Sequence, residues 1–207
     1  MDKIDLTKKY KAYFTAKTKP ALVQIENAQF ISICGKGDPS EKPFSERCEA
    51  LYSTAYALKF ALKANNNDFV VSKLEGLWWF DENKFAGKTI ANTAVEVPRS
   101  EWEYRLLIRL PDFVTKKDLD NAIATVVSKK NLPLAGQIEY YEMAEGKSVQ
   151  ILHVGPFSKE PETLQIIGEF MEANKLAKNG FHHEIYLSDF RKTAPDKLKT
   201  ILREPVK

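Results

Sequence analysis

Two strand-like segments of this chain each set a single glutamate among aromatic and aliphatic residues: LEGLWWFD (Leu74 to Asp81) and FHHEIYLSD (Phe181 to Asp189). A carboxylate in a strand that otherwise reads as buried is costly unless something pairs with it. Both segments close similar runs of elements. AQFISIC (28–34) is apolar and β-branched and predicts a strand, with GKGDPSEKP as the loop after it. From Phe44 the apolar positions Phe44, Cys48, Leu51, Ala55, Leu58 and Leu62 step by four, three, four, three and four, which keeps one stripe on one helix face. A strand from about Val70 to Phe80, a polar connection from Asp81 to Ser100 and an alternating strand from Trp102 to Leu110 follow. In that last strand Trp102, Tyr104, Leu106, Ile108 and Leu110 share one face, while Glu103, Arg105 and Arg109 lie on the other, the pattern of a half-buried antiparallel strand.

The second half opens with a helix from about Thr115 to Lys130, its core stripe Leu119, Ile123 and Val126, and the strand QIEYYEM. After a turn at Glu145 to Lys147 come the strand SVQILHVG, the turn GPFSKEP, a helix from about Glu160 to Asn174, the strand FHHEIYLSD and a last strand near Lys197 to Arg203. Strand, helix, strand, strand thus occurs twice, with ISICGKGDP before the first long helix and ILHVGPFSK before its counterpart. The expected fold is α+β: duplicated strand-helix-strand-strand modules related by a pseudo-twofold axis, antiparallel sheets with helices on one face, and a central ligand cleft lined by the equivalent glutamates. The expected organisation is one domain over 1–207, with a first pseudo-repeat at about 25–112 and a second at about 113–205.

Composition bounds the partners. A 43% hydrophobic chain of 207 residues can bury a core, and 31 basic against 28 acidic residues, interspersed, offer no nucleic-acid arm. The mildly basic termini, including Lys192, Lys197, Lys199 and Arg203 at the C-terminal end, read as solvated faces. Cys34 and Cys48 fit buried free thiols in a reducing compartment. With no apolar leader and no window of 18 apolar residues, neither export nor membrane spanning is supported, and the expected location is the cytoplasm. The roughly 25 residues before the first predicted strand are too few for a winged helix, so direct DNA binding is not expected. A monomer and a homodimer are equally compatible with the chain.

Alternation decides which neighbours accompany each glutamate. Glu75 shares a face with Leu77 and Trp79, and Glu184 with His182 and Tyr186. Carboxylates beside aromatic rings suit a flat, apolar and in some cases cationic ligand, because rings supply stacking and cation–π contacts of roughly 0.5–2 kcal/mol each. The structural alternative is an ion pair of either glutamate with Arg105 or Arg109. Trp78 and Trp79 must point to opposite sides of their strand, as must Tyr140 and Tyr141. Tyr141 and Tyr104 are candidate donors to a ligand carbonyl, or else buried tyrosines with satisfied hydroxyls. His182 and His183 cannot chelate one ion from opposite faces, and His153 completes no set, so no metal site is expected. No GxSxG or phosphate loop is present, and no motif asks for a cofactor.

HVGPF (153–157), the helix after it and FHHEIYLSD resemble the GyrI-like small-molecule-binding family, which shares its fold with the ligand-binding domains of multidrug-responsive transcription regulators. The resemblance covers about residues 25–205. It implies tandem strand-helix-strand-strand (SHS2) modules around a ligand cleft with an acidic residue at its base, which maps onto Glu184. The aromatic first half, LEGLWW, is similar to a branch that hydrolyses cyclopropane-containing DNA-alkylating natural products, a detoxifying activity. On that reading Glu184 is the base that activates water, Glu75 its partner, Tyr141 or Tyr104 the donor to the developing phenolate, and Trp79, Phe157 and Tyr186 the walls, with Trp78 and His182 also binding ligand. A binding module without turnover, a drug sponge or sensor, is the second reading. An inhibitor of gyrase acting through protein contact ranks lowest, since nothing resembles an acidic DNA mimic.

Overall fold

A computed structural model describes residues 3–87, 92–93 and 96–207; of the polar connection expected from Asp81 to Ser100, residues 88–91 and 94–95 lie outside the described residues. The strands are β1 (Ala21–Ile25), β2 (Ala28–Lys36), β3 (Leu74–Trp79), β4 (Glu103–Arg109), β5 (Glu139–Met143), β6 (Gly146–Val154), β7 (His182–Tyr186) and β8 (Lys199–Pro205). The α-helices whose bounds fall within the described residues are α1 (Leu6–Lys9), α2 (Lys42–Ala64), α3 (Lys116–Lys130) and α4 (Glu160–Ala173). Local signals account for their bounds: Pro43 sits in the first turn of α2, and Thr115 and Asp118 form a reciprocal capping box at the start of α3.

All strands join one antiparallel sheet in the order β1-β6-β8-β7-β3-β4-β2-β5. The two halves therefore do not carry separate sheets; β7 pairs with β3 and makes them continuous. Register across the seam fixes two faces. Ile33, Leu106, Gly76, Glu184, Leu202 and Ile151 form one row of direct partners and so point to one side. On this side α2 packs on Ile31, Ile33, Leu106 and Ile108, with α3 behind it through Leu119 and Val126. On the same side α4 packs through Leu164, Ile167 and Met171 on Val149, Ile151 and Leu202. Both long helices thus cover one face, each over its own half, and leave the seam between them.

The opposite face is covered by the N-terminal segment, where Leu6, Tyr13 and Phe14 pack on Ile25, Ile185 and Ile201. That cover changes several expectations. β1 lies in the stretch expected to precede the first strand. β4 is buried on both faces, with the Arg109 guanidinium 4.0 Å and 4.5 Å from the rings of Tyr10 and Tyr13. Arg203, expected in solvent, is fully buried. Cys34 is exposed and Cys48 intermediate, so neither is the fully buried thiol expected. Among the described residues no helix is long and apolar enough to cross a membrane.

Candidate functional site

Between the N-terminal ends of α2 and α4, over the β3–β7 seam, lies a cleft of about 480 Å³, within the range that encloses a drug-sized molecule. Its walls are aromatic: Phe44, Trp78, Trp102, Phe157, Tyr186 and Phe190. Its polar groups are the carboxyls of Glu160, Glu184 and Glu204 and the imidazole of His182. Of the other lining residues, Arg99 and Lys178 are paired with Asp38 and Glu82, at 3.5 Å and 2.9 Å.

Glu184 stands directly opposite Gly76 in the sheet. A Cβ at Gly76 would lie 2.7 Å from Trp78 Nε1 and 3.2 Å from the Tyr186 hydroxyl, so the missing side chain is what lets these groups meet above the seam. Trp78 Nε1–H donates to the Tyr186 hydroxyl at 3.1 Å, and that hydroxyl donates to Glu184 Oε2 at 2.6 Å. His182 Nε2 lies 3.3 Å from Glu184 Oε1, while Nδ1 bonds Glu204. Both oxygens of Glu184 therefore accept from donors, the arrangement that suits a carboxylate.

The cleft separates charge states. Burial alone would push the His182 pKa down, but Glu204 and Glu184 more than reverse this and hold it up at about 10, as imidazolium. Burial and then the Glu184 charge push the Tyr186 hydroxyl well above its ordinary value, so it remains a donor. Burial, reinforced by the Glu184 charge, also raises the Glu160 carboxyl well above the ordinary range, against weaker opposition from His182 and a Thr200 hydrogen bond. Glu160 Oε1 and Glu204 Oε2 are buried with no hydrogen-bond partner among the described residues. No three His, Cys, Asp or Glu side chains among the described residues are arranged to hold a metal ion.

Of the residues singled out in the sequence, Glu184, His182, Tyr186, Trp78, Trp79 and Phe157 line the cleft. Trp79, on the opposite face at the end of β3, reaches it beside Phe181, on which its ring stacks at 4.6 Å. Tyr104 is buried beneath the wall, its ring 5.1 Å from Phe44 and 5.3 Å from Trp78, and does not line it. Tyr104 thus does not stand where a donor to the ligand was expected, and two further expectations need correction. Glu75 and Tyr141 lie on the other face, because the register that sets Gly76 against Glu184 turns Glu75 away. Glu75 accepts from the Tyr13 hydroxyl at 2.5 Å and lies 3.0 Å from His183 Nε2. The Tyr141 ring lies 4.3 Å from the Arg105 guanidinium, which pairs with Glu139 and not with a glutamate of the seam.

Glu160 and Glu204 were missed. An acid in the first turn of a helix is expected for its dipole alone, so Glu160 carried no signal. Glu204 falls in step with Thr200, Leu202 and Val206, and continuing the alternation beyond Arg203 would have exposed it as a carboxylate on an apolar face.

Residues 18–207 match the GyrI-like small molecule binding domain. The crystal structure of an uncharacterized conserved protein from Listeria innocua is similar at 36% identity and a TM-score of 0.88, covering 99% of this chain and 100% of that one. A hydrolase from Listeria innocua is similar at 35% identity and a TM-score of 0.85, covering 100% of both chains. The C-terminal domain of EcmrR has the same fold, with a TM-score of 0.58 at 12% identity, over 91% of this chain and 97% of that one. No curated protein matches the chain.

Proposed function

The chain belongs to the GyrI-like small-molecule-binding family, and from that premise we propose that it takes flat, aromatic, hydrophobic compounds into the cleft and hydrolyses those carrying a strained cyclopropane ring, detoxifying DNA alkylators. The observation that carries this reading is Glu184, a carboxylate at the floor of an aromatic cleft with both oxygens already oriented. The rings of Trp78, Trp79, Phe157 and Tyr186 stack the ligand. Glu184 takes a proton from water as the water oxygen attacks the ring methylene, and exclusion of bulk water strengthens every electrostatic contact in the step. The Tyr186 and His182 hydrogen bonds hold the carboxylate in place while it does so. The two Listeria hydrolase structures, each at 35% identity, favour turnover over mere binding.

We further infer that residues 1–207 act as one domain containing two copies of a strand-helix-strand-strand unit. The order β2-β4-β3 in the first half and β6-β8-β7 in the second, meeting at β3 and β7, supports duplication about an axis through the seam.

The test is incubation with a cyclopropane-bearing alkylator, followed by mass. Wild type should add one water, and Glu184→Gln should lose about 10²- to 10⁴-fold in rate while still quenching tryptophan fluorescence on binding. Turnover unaffected in Glu184→Gln would sink the assignment. A second reading, a sponge or sensor without turnover, is favoured by one feature: among the described residues lining the cleft, Arg99 and Lys178 are paired with Asp38 and Glu82, so Glu184 and Glu204 share the His182 cation, a balance that suits a cationic aromatic ligand. Saturable quenching with unchanged ligand mass would select it.

A further inference from the structure

We propose that Glu160 is the acid of this reaction, delivering a proton to the ligand oxygen that receives the ring-opening electrons. The inference rests on the hydrolytic reading above and adds to it a second, separately testable carboxyl. Glu160 begins α4, lines the cleft and is 8% exposed, and its Oε1 has no partner among the described residues. The groups that act on it are Glu184, His182 and Tyr186 on β7 and Thr200 on β8; Glu204 of β8 lines the same cleft, and His153 of β6 stands opposite Thr200 in the sheet. His153 is occupied, with Nδ1 2.8 Å from the Thr163 hydroxyl and Nε2 3.2 Å from the Pro156 carbonyl.

The donors of the cleft are distributed unequally. Tyr186 and His182 serve Glu184, and His182 also serves Glu204, whereas Glu160 lies beside Thr200 and its Oε1 has no donor among the described residues. Of the three carboxyls only Glu160 lacks the charged His182 donor, and with the Glu184 charge opposing a second one beside it, Glu160 is the carboxyl that keeps the proton. The helix N-terminus favours the anion, but burial and the Glu184 charge outweigh it. The cleft thus holds a base and an acid, the division that runs water addition without changing the net charge of the site.

The step balances as follows. Water loses a proton to Glu184 and its oxygen bonds to the cyclopropane methylene. The ring carbon–carbon bond breaks, its electron pair passes through the conjugated ring to the carbonyl oxygen, and that oxygen takes the Glu160 proton. The product is a phenol carrying a hydroxyalkyl arm. Solvent then returns the proton from Glu184 to Glu160.

The test pairs infrared spectroscopy of the unliganded protein with turnover of the same alkylator. At neutral pH wild type should show the carbonyl band of a buried protonated carboxyl, and Glu160→Gln should lose it. Glu160→Gln should bind with unchanged fluorescence quenching yet turn over at least tenfold more slowly, without the alkaline limb of the wild-type pH profile, and Glu160→Asp should recover part of the rate. A band that is absent from wild type or persists in Glu160→Gln overturns the protonation, and full activity in Glu160→Gln overturns the donor role. Loss of turnover in Glu184→Gln with full activity in Glu160→Gln would leave the hydrolase reading intact and sink this one alone. No turnover in wild type, with the band present, would overturn the hydrolase reading and the donor role with it.

Discussion

Gly76 shows how little separates a working cleft from a filled one. It sits across from Glu184, and a single methyl there would contact the Trp78 indole nitrogen and the Tyr186 hydroxyl, one a donor to the other and the other a donor to the carboxylate. Gly76→Ala is expected to displace the Trp78 ring, cost about 1–3 kcal/mol by overpacking, and weaken ligand binding together with stability. Denaturant unfolding and tryptophan emission would both report it, and an unchanged emission maximum with wild-type stability would show that the indole does not depend on that space. Tyr186→Phe should act differently, removing the donor to Glu184 without touching the packing, so stability should fall by no more than about 1–3 kcal/mol while turnover falls further.

β7 carries two adjacent histidines into two unrelated environments. His182 faces the cleft, whereas His183 is enclosed beneath the N-terminal segment between Glu75 at 3.0 Å and Glu145 at 2.9 Å. Glu145 in turn pairs with Arg203 of β8 at 3.0 Å, and Arg203 donates to Gln150 and to the Tyr13 carbonyl. The N-terminal segment is thereby tied to β6, β7 and β8 by a buried charged network. Removing one member leaves the others desolvated and uncompensated. Arg203→Met is therefore expected to destabilise by about 3–5 kcal/mol while leaving the cleft, on the other side of the sheet, able to bind in the folded fraction. Urea titration alongside ligand quenching checks this, and a loss of binding without loss of stability would contradict the separation of the two faces.

The protein as a whole should be most stable in mildly acidic solution. His182 is held up at about 10 from an ordinary 6.5, so its contribution is complete below 6.5 and fades as pH rises toward about 10. His183 moves in the same direction, because Glu145 and Glu75 outweigh the burial that opposes its charge. Glu145 runs the other way: burial opposes its charge, but His183 and Arg203 hold it at about 2, so its contribution is complete above 4.5 and is lost as pH falls toward about 2. A melting-temperature profile should therefore peak between about 4.5 and 6.5 and decline on both sides. Glu160 is a raised acid and costs stability once the unfolded carboxyl ionises above 4.5, so Glu160→Gln is expected to melt no lower than wild type at pH 8. A flat profile from pH 5 to 9 would contradict the His182 and His183 assignments.

Short-range periodicity made much of this legible in the chain. The stripe from Phe44 to Leu62 lies on α2, and the opposite directions of Trp78 and Trp79, and of His182 and His183, follow from alternation within one strand. Side-chain direction along a strand is a local property, set by the pleat. Which strand lies beside which, and in what register, is set by long-range packing. Only the pairing of β7 with β3, residue for residue, sends Glu75 to the face beneath Tyr13 and leaves Glu184 in the cleft. Glu160 and Glu204 reach Glu184 from a helix start and from the neighbouring strand β8, and Arg203 is buried because a segment nearly two hundred residues earlier folds across it. No local pattern encodes such encounters, since they depend on where separate elements come to rest and on the burial that results.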